Sequence, residues 1–211
     1  MKRYSIYRKL LVTLFLLQGI FLSEAQSNLT ADKIIEKSAG IITASKGLSA
    51  QFKITANGQS GIGTVKSMGD KFMVTLPDVQ VWYNGVGLYT YNSRTQETTV
   101  VTPSAEELME SNPLLYVKAY QKSFTPSFAS EKKTGKYIIN MLPKNKANDI
   151  KKLTFTINST TFEPEKITAE FSGGNKMNIE ITSFKKNASI SASEFEYPQS
   201  KYPKAEIIDL R

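Results

Sequence analysis

Val81-Trp82-Tyr83-Asn84-Gly85-Val86-Gly87-Leu88-Tyr89-Thr90-Tyr91 is the stretch that decides how this chain folds. Two runs rich in β-branched and aromatic residues flank Asn84-Gly85. That dipeptide is a strong hairpin signal, because both turn positions must accept positive φ. Val81 and Tyr83 share a face; in the second run Tyr89 and Tyr91 share one, with Leu88 opposite. A third run, Gln96 to Val101, follows the polar turn Asn92-Ser93-Arg94-Thr95. The segment reads as a three-stranded antiparallel meander with a large aromatic surface.

On the N-terminal side of the meander the period-two pattern continues. Phe72, Val74 and Leu76 mark one strand, and Ile62 to Lys66 a glycine-weakened one. Leu48, Ala50, Phe52, Ile54 and Ala56 alternate with Ser49, Gln51, Lys53, Thr55 and Asn57, which predicts one dry and one wet face. Before them, Ile34, Ile35, Ser38, Ile41 and Ile42 fall at helical spacing behind Thr30 and Asp32, with Lys46-Gly47 as the stop.

On the C-terminal side, Ser104 with Glu107 forms a capping box for a short helix near Ala105 to Glu110. Asn112-Pro113 opens a second, strongly apolar one through Leu114-Leu115-Tyr116-Val117. Gln121 to Lys136 reads as a polar loop. Strands resume at Tyr137 to Leu142, Leu153 to Asn158, Ile167 to Phe171 and Met177 to Ile181, with one more around Phe195 and Tyr197. Nine or ten amphipathic strands and three helices predict a mainly β, α+β domain. A sheet this wide must curl, and its apolar face must be covered by the helices, which encloses an apolar pocket.

The first 25 residues read as an export signal. Lys2, Arg3, Arg8 and Lys9 precede an apolar run from Leu10 to Leu22, and Ser23-Glu24-Ala25 offers small residues for cleavage after Ala25. Residues 26–211 then form one domain; losing four basic residues and Glu24 takes the net charge from +8 to +5. With no cysteine there is no disulfide and no lipid attachment at the cleavage site, so the mature chain is expected to be free in solution. Its basic balance suits anionic surfaces or acidic partners better than nucleic acid.

Chemistry is hard to find. Histidine and cysteine are both absent, which excludes histidine triads, thiol nucleophiles and the common zinc sites. Gly58-Gln59-Ser60-Gly61 misses the nucleophile elbow, because Ile62 stands where its second glycine belongs. Ser130 to Lys133 and Lys133-Thr134-Gly135 match two serine-acyl motifs, but they share one lysine where true enzymes separate them. The expectation is a protein that is no enzyme and needs neither cofactor nor metal.

The order of elements resembles the LolA family of periplasmic lipoprotein carriers. The landmarks are Leu48 to Phe52, Gly61 to Val65, Lys71-Phe72, Pro77, Asn84-Gly85, Leu88 to Asn92, Gln96 to Thr99, Asn112 to Leu115, Leu142-Pro143-Lys144 and Ile150 to Ile157. The resemblance implies an unclosed antiparallel β-barrel, a curled half-barrel with a helical lid over an apolar cavity that receives acyl chains. The expected cavity residues are Phe52, Ile54, Phe72, Val74, Val81, Tyr83, Leu88, Leu114, Leu115, Ile139, Phe155, Ile157, Phe171, Ile179 and Ile181. It further implies acylated lipoproteins as cargo, an inner-membrane lipoprotein-releasing transporter as donor, the outer membrane or an acceptor in it as destination, and a monomeric carrier. A lipoprotein-sensing envelope-stress regulator and a carrier of another amphiphile, such as a glycolipid, remain as alternatives. In one place the sequence departs from the family. Met68-Gly69 stands where the family has a basic residue and proline, so the lid latch expected at Met68 lacks its arginine.

Overall fold

The alternation found in the sequence becomes one sheet. A computed structural model describes residues 29–112, 114–115, 123–145 and 149–211. Its strands are β1 (Leu48–Ala56), β2 (Gln59–Met68), β3 (Lys71–Thr75), β4 (Val79–Tyr83), β5 (Leu88–Asn92) and β6 (Glu97–Val101), followed by β7 (Phe124–Phe128), β8 (Lys136–Pro143), β9 (Ile150–Asn158), β10 (Pro164–Phe171), β11 (Lys176–Lys186) and β12 (Glu206–Asp209). The helices are α1 (Ala31–Ala44) and α2 (Ala105–Ser111). The twelve strands form a single open, curled sheet in the order β12-β6-β5-β4-β3-β2-β1-β11-β10-β9-β8-β7. All pairs are antiparallel except β12 with β6. The leader and cleavage site expected over residues 1–25 lie outside the described residues.

Cross-strand register carries one apolar face through the whole sheet. Val74 pairs with Val65 and Val81, Phe52 with Ile181, Ile54 with Ile179, Ile167 with Ile179 and Phe155, and Phe155 with Ile139. Because paired residues point to the same side, these residues define what we call the inner face. Most of it is fully buried: Leu153, Phe155, Ile157, Ile139 and Met141 have no exposed surface. Helix α1 contributes Ile34 and Ile35, also fully buried, and packs at the β7 end. Gly63 belongs to this face for a steric reason. A Cβ there would stand 2.5 Å from the Phe52 ring and 2.9 Å from Leu76, so the missing side chain is the space those two fill.

Several local expectations change. The Asn84–Gly87 connection is a four-residue loop in which only Gly85 takes positive φ, 98°. Asn84 acts through its side chain instead, with Oδ1 accepting from the N–H of Val86 (3.1 Å) and Gly87 (2.9 Å). Gly47 is not a positive-φ helix stop either. It is glycine because a Cβ would lie 2.3 Å from the Ala188 carbonyl oxygen. Phe124–Phe128, read as part of a polar loop, is the edge strand β7; its Pro126 is tolerated at an edge where one side has no ladder to complete.

The strand expected around Phe195 and Tyr197 is instead a pair of 3-10 turns, Ala192–Phe195 and Gln199–Lys201. Strand structure appears only later, in β12. The capping box of α2 forms as expected. The Ser104 hydroxyl accepts from the Glu107 N–H and the Glu107 carboxylate from the Ser104 N–H, which holds the Glu107 carboxyl below its ordinary value. Asn112 Oδ1 accepts from the Leu114 N–H at 3.0 Å, as an N-cap does. Beyond Leu115 the apolar helix lies outside the described residues.

Candidate functional site

Register places every strand residue expected to line the cavity on the inner face: Phe52, Ile54, Phe72, Val74, Val81, Tyr83, Leu88, Ile139, Phe155, Ile157, Phe171, Ile179 and Ile181. Their burial divides them. Phe52, Phe72, Val74, Val81, Leu88, Ile139, Phe155, Ile157 and Ile179 are buried, as is Leu114; Ile54, Tyr83, Leu115, Phe171 and Ile181 are half-buried. Where α1 and the curl of the sheet fill the inner face, it is core. Where they stop, it is open.

The opening lies at the end of the sheet that carries the β1–β2, β3–β4, β5–β6 and β10–β11 turns. A cavity of about 630 Å³ lies between Ile54, Leu76, Pro77 and Val79, with Asp78 and Arg94 at its rim. A second, of about 470 Å³, lies between Phe171, Met177 and Asn57, with Asp149 and Lys176 at its rim. Both are lined by Ala56 and they flank the β1–β2 hairpin; we call them the two lobes of the mouth. Of the expected residues only Ile54 and Phe171 line these lobes. Leu76, Ala56 and Met177 were missed as lining residues, although each continues the inner-face alternation by one more step of two.

The rim is polar and tied together. Arg94 donates to the Asp78 carboxylate, and the Ser93 N–H donates to the Asp78 carbonyl at 2.9 Å, joining the β5–β6 turn to the β3–β4 turn. Across the mouth the Ser172 hydroxyl and N–H both donate to Asp149, and Lys176 lies 3.8 Å from Glu170. No group of three or more metal-ligating side chains occurs among the described residues. Met68 closes β2 opposite Lys71, and alternation from Val65 puts it on the outer face. The lid segment it was expected to latch lies largely outside the described residues.

The aromatic surface expected of the meander lies on its outer face, and the cover it receives was not anticipated from the sequence. The C-terminal segment lies across it. Tyr197 stacks on Tyr89 (5.6 Å between centroids), Tyr202 packs on Tyr91 (4.2 Å), and both meet Trp82 edge-on. The Tyr202 hydroxyl donates to Gln80 Oε1 at 2.9 Å, and Lys66 pairs with Glu194. The signal for it was present: a strand pair apolar on both faces needs a cover on both.

One open, curled sheet of twelve strands with few helices is the LolA-like architecture. Residues 21–173 match the family described as "Outer membrane lipoprotein carrier protein LolA", and the chain belongs to that family. An uncharacterized protein of Methanocaldococcus jannaschii is 25% identical over 201 residues, 90% of this chain and 58% of that protein, so the chain spans little more than half the length of that relative. Among solved structures, an uncharacterized conserved protein of Thermus thermophilus shares the fold, with a TM-score of 0.59 at 9% identity over 85% of this chain and 98% of that one. A LolA superfamily protein of Nitrosomonas europaea aligns with a TM-score of 0.43 at 11% identity over 80% and 98%. No helix among the described residues is long and apolar enough to cross a membrane.

Proposed function

We propose that this protein carries acylated lipoproteins through the periplasm, holding their acyl chains on the inner face at the two-lobed mouth. The observation that supports this is the continuation of one apolar face from closed core to open mouth at Ile54, Ala56 and Phe171, in a chain of the LolA family. A carrier is needed because water penalises bare hydrocarbon. About 15 methylenes at about 0.8 kcal/mol each cost about 12 kcal/mol to expose. The chain works as a binding protein without catalytic or cofactor chemistry. A leader over residues 1–25 directs it to the periplasm, where residues 26–211 act as a single domain. Its partners are the lipoprotein cargo, an inner-membrane lipoprotein-releasing transporter and the outer membrane or an acceptor there.

An unpaired charge on the mouth floor would penalise bound hydrocarbon. Ile54→Asp is therefore expected to abolish the recovery of lipoproteins with protein isolated from the native envelope, with the circular dichroism spectrum unchanged. A folded Ile54→Asp that recovers the same lipoproteins in the same amount would refute the proposal.

A further inference from the structure

Arg94 occupies an unusual position for a surface cation. It sits in the β5–β6 turn, its side chain 77% exposed, at the rim of the larger lobe whose floor is Ile54, Leu76, Pro77 and Val79. Its turn is held firmly: the Arg94 N–H donates to Asn92 Oδ1 at 2.9 Å, and the neighbouring Ser93 N–H reaches the Asp78 carbonyl. Backbone position is thus fixed while the guanidinium stays in solvent. Its partner, Asp78, is itself 42% exposed and lines the same lobe.

An ion pair this exposed holds its partners weakly, since solvent screens it. A guanidinium offers a planar fork that takes carboxylate or phosphate oxygens two at a time. Resting on the carrier reading of this mouth, we infer that Arg94 selects cargo that carries an anionic group, phosphate or carboxylate, beside its acyl chain. That group displaces Asp78 from the guanidinium as the chain settles on Ile54 and Leu76. Asp78 occupies the cation when the mouth is empty and competes with the anionic group when it is filled. Arg94 is a specificity residue here, and the apolar floor supplies binding common to all chains.

The test is displacement of an apolar fluorescent dye from the purified protein by dodecyl phosphate, laurate and uncharged dodecyl maltoside. The two anions are expected to bind about twofold to fivefold more tightly than the maltoside, the scale of one solvent-screened charge-assisted contact. Arg94→Gln should erase that preference and leave maltoside affinity unchanged. Asp78→Asn, which removes the competitor, should increase it. Lys166→Gln, on the outer face and paired with Glu180, should retain it. A phosphate bound more tightly than laurate marks a phosphate group as the natural one, and the reverse marks a carboxylate. Equal affinity for all three amphiphiles, or a preference that survives Arg94→Gln or disappears equally with Lys166→Gln, overturns the inference while leaving the carrier reading intact. Failure of dodecyl maltoside and both anions to displace the dye refutes the carrier reading, and this inference with it.

Discussion

The two halves of the sheet share an inner face and differ on the outer one. Across β8–β11 the outer face is a ladder of polar cross-strand pairs. Asn140 meets Thr154 (3.0 Å), Thr168 meets Asn178 (2.9 Å), Lys152 pairs with Glu170 (2.7 Å) and Lys166 with Glu180 (3.2 Å). Across β3–β6 the outer face carries Trp82, Tyr89, Tyr91 and Val100, and the C-terminal segment closes over it. Apart from the buried Ile138, the β8–β11 half turns polar side chains to water outside, while the other depends on residues more than a hundred positions further along the chain. The tail is part of the fold of the meander: it buries Trp82 to 2% exposure and adds β12 beside β6.

The strongest test of this contrast is Trp82→Ala, expected to cost about 3–5 kcal/mol in urea unfolding, as truncation of a buried aromatic does. A loss below about 1 kcal/mol would mean the outer face of the meander is no core at all. Next in size is Tyr197→Phe. It leaves the fully buried Thr98 hydroxyl, 2.8 Å from the Tyr197 hydroxyl, without that partner, and should cost about 1 kcal/mol.

The clasp should also loosen at both ends of the pH scale. The hydrogen bond from Lys66 is the main cause holding the Glu194 carboxyl below its ordinary 4.5, so that contribution is present above pH 4.5 and is lost as pH falls through the lower folded value. Burial pushes the Tyr202 hydroxyl above its ordinary 10.0, so its contribution is present below pH 10 and is lost as pH rises through the higher folded value. Hydrogen-exchange protection factors over residues 192–205 should fall in both directions, and at the alkaline end before β8–β10 responds; at the acid end Glu165 and Glu170 of β10, also below their ordinary values, loosen that half as well. Alkaline loosening of the two halves together would contradict it. The smallest effect belongs to the other outer face. Lys152→Ala should change stability by less than about 0.5 kcal/mol, because its partner pair is solvent-screened.

This contrast also explains what could be read from the chain. β1 was legible because Leu48, Ala50, Phe52, Ile54 and Ala56 alternate without interruption against polar neighbours. The inner face as a whole was legible for the same reason, since register propagates one strand's choice to the next. The clasp was not. Tyr197 and Tyr202 sit among prolines with no period to follow, and their partners are set by a long-range path. β7 was hidden by Pro126, which carries no penalty at an edge. At the site, alternation grouped the expected residues on one face but could not divide core from mouth. Phe155 and Ile54 have the same pattern in sequence, and only their position relative to α1 and the sheet end separates them.

The central claim is that cargo hydrocarbon rests on the inner face at the mouth. Ile54 lines the larger lobe, and Lys53, one residue before it, points to the outer face opposite Ile62. A one-residue step reverses a strand side chain, so the pair forms its own internal control. Photo-crosslinking amino acids placed at each position, activated in the native envelope, should capture lipoprotein from position 54 and none from position 53. Equal capture at both positions, or capture from position 53 alone, would contradict the account.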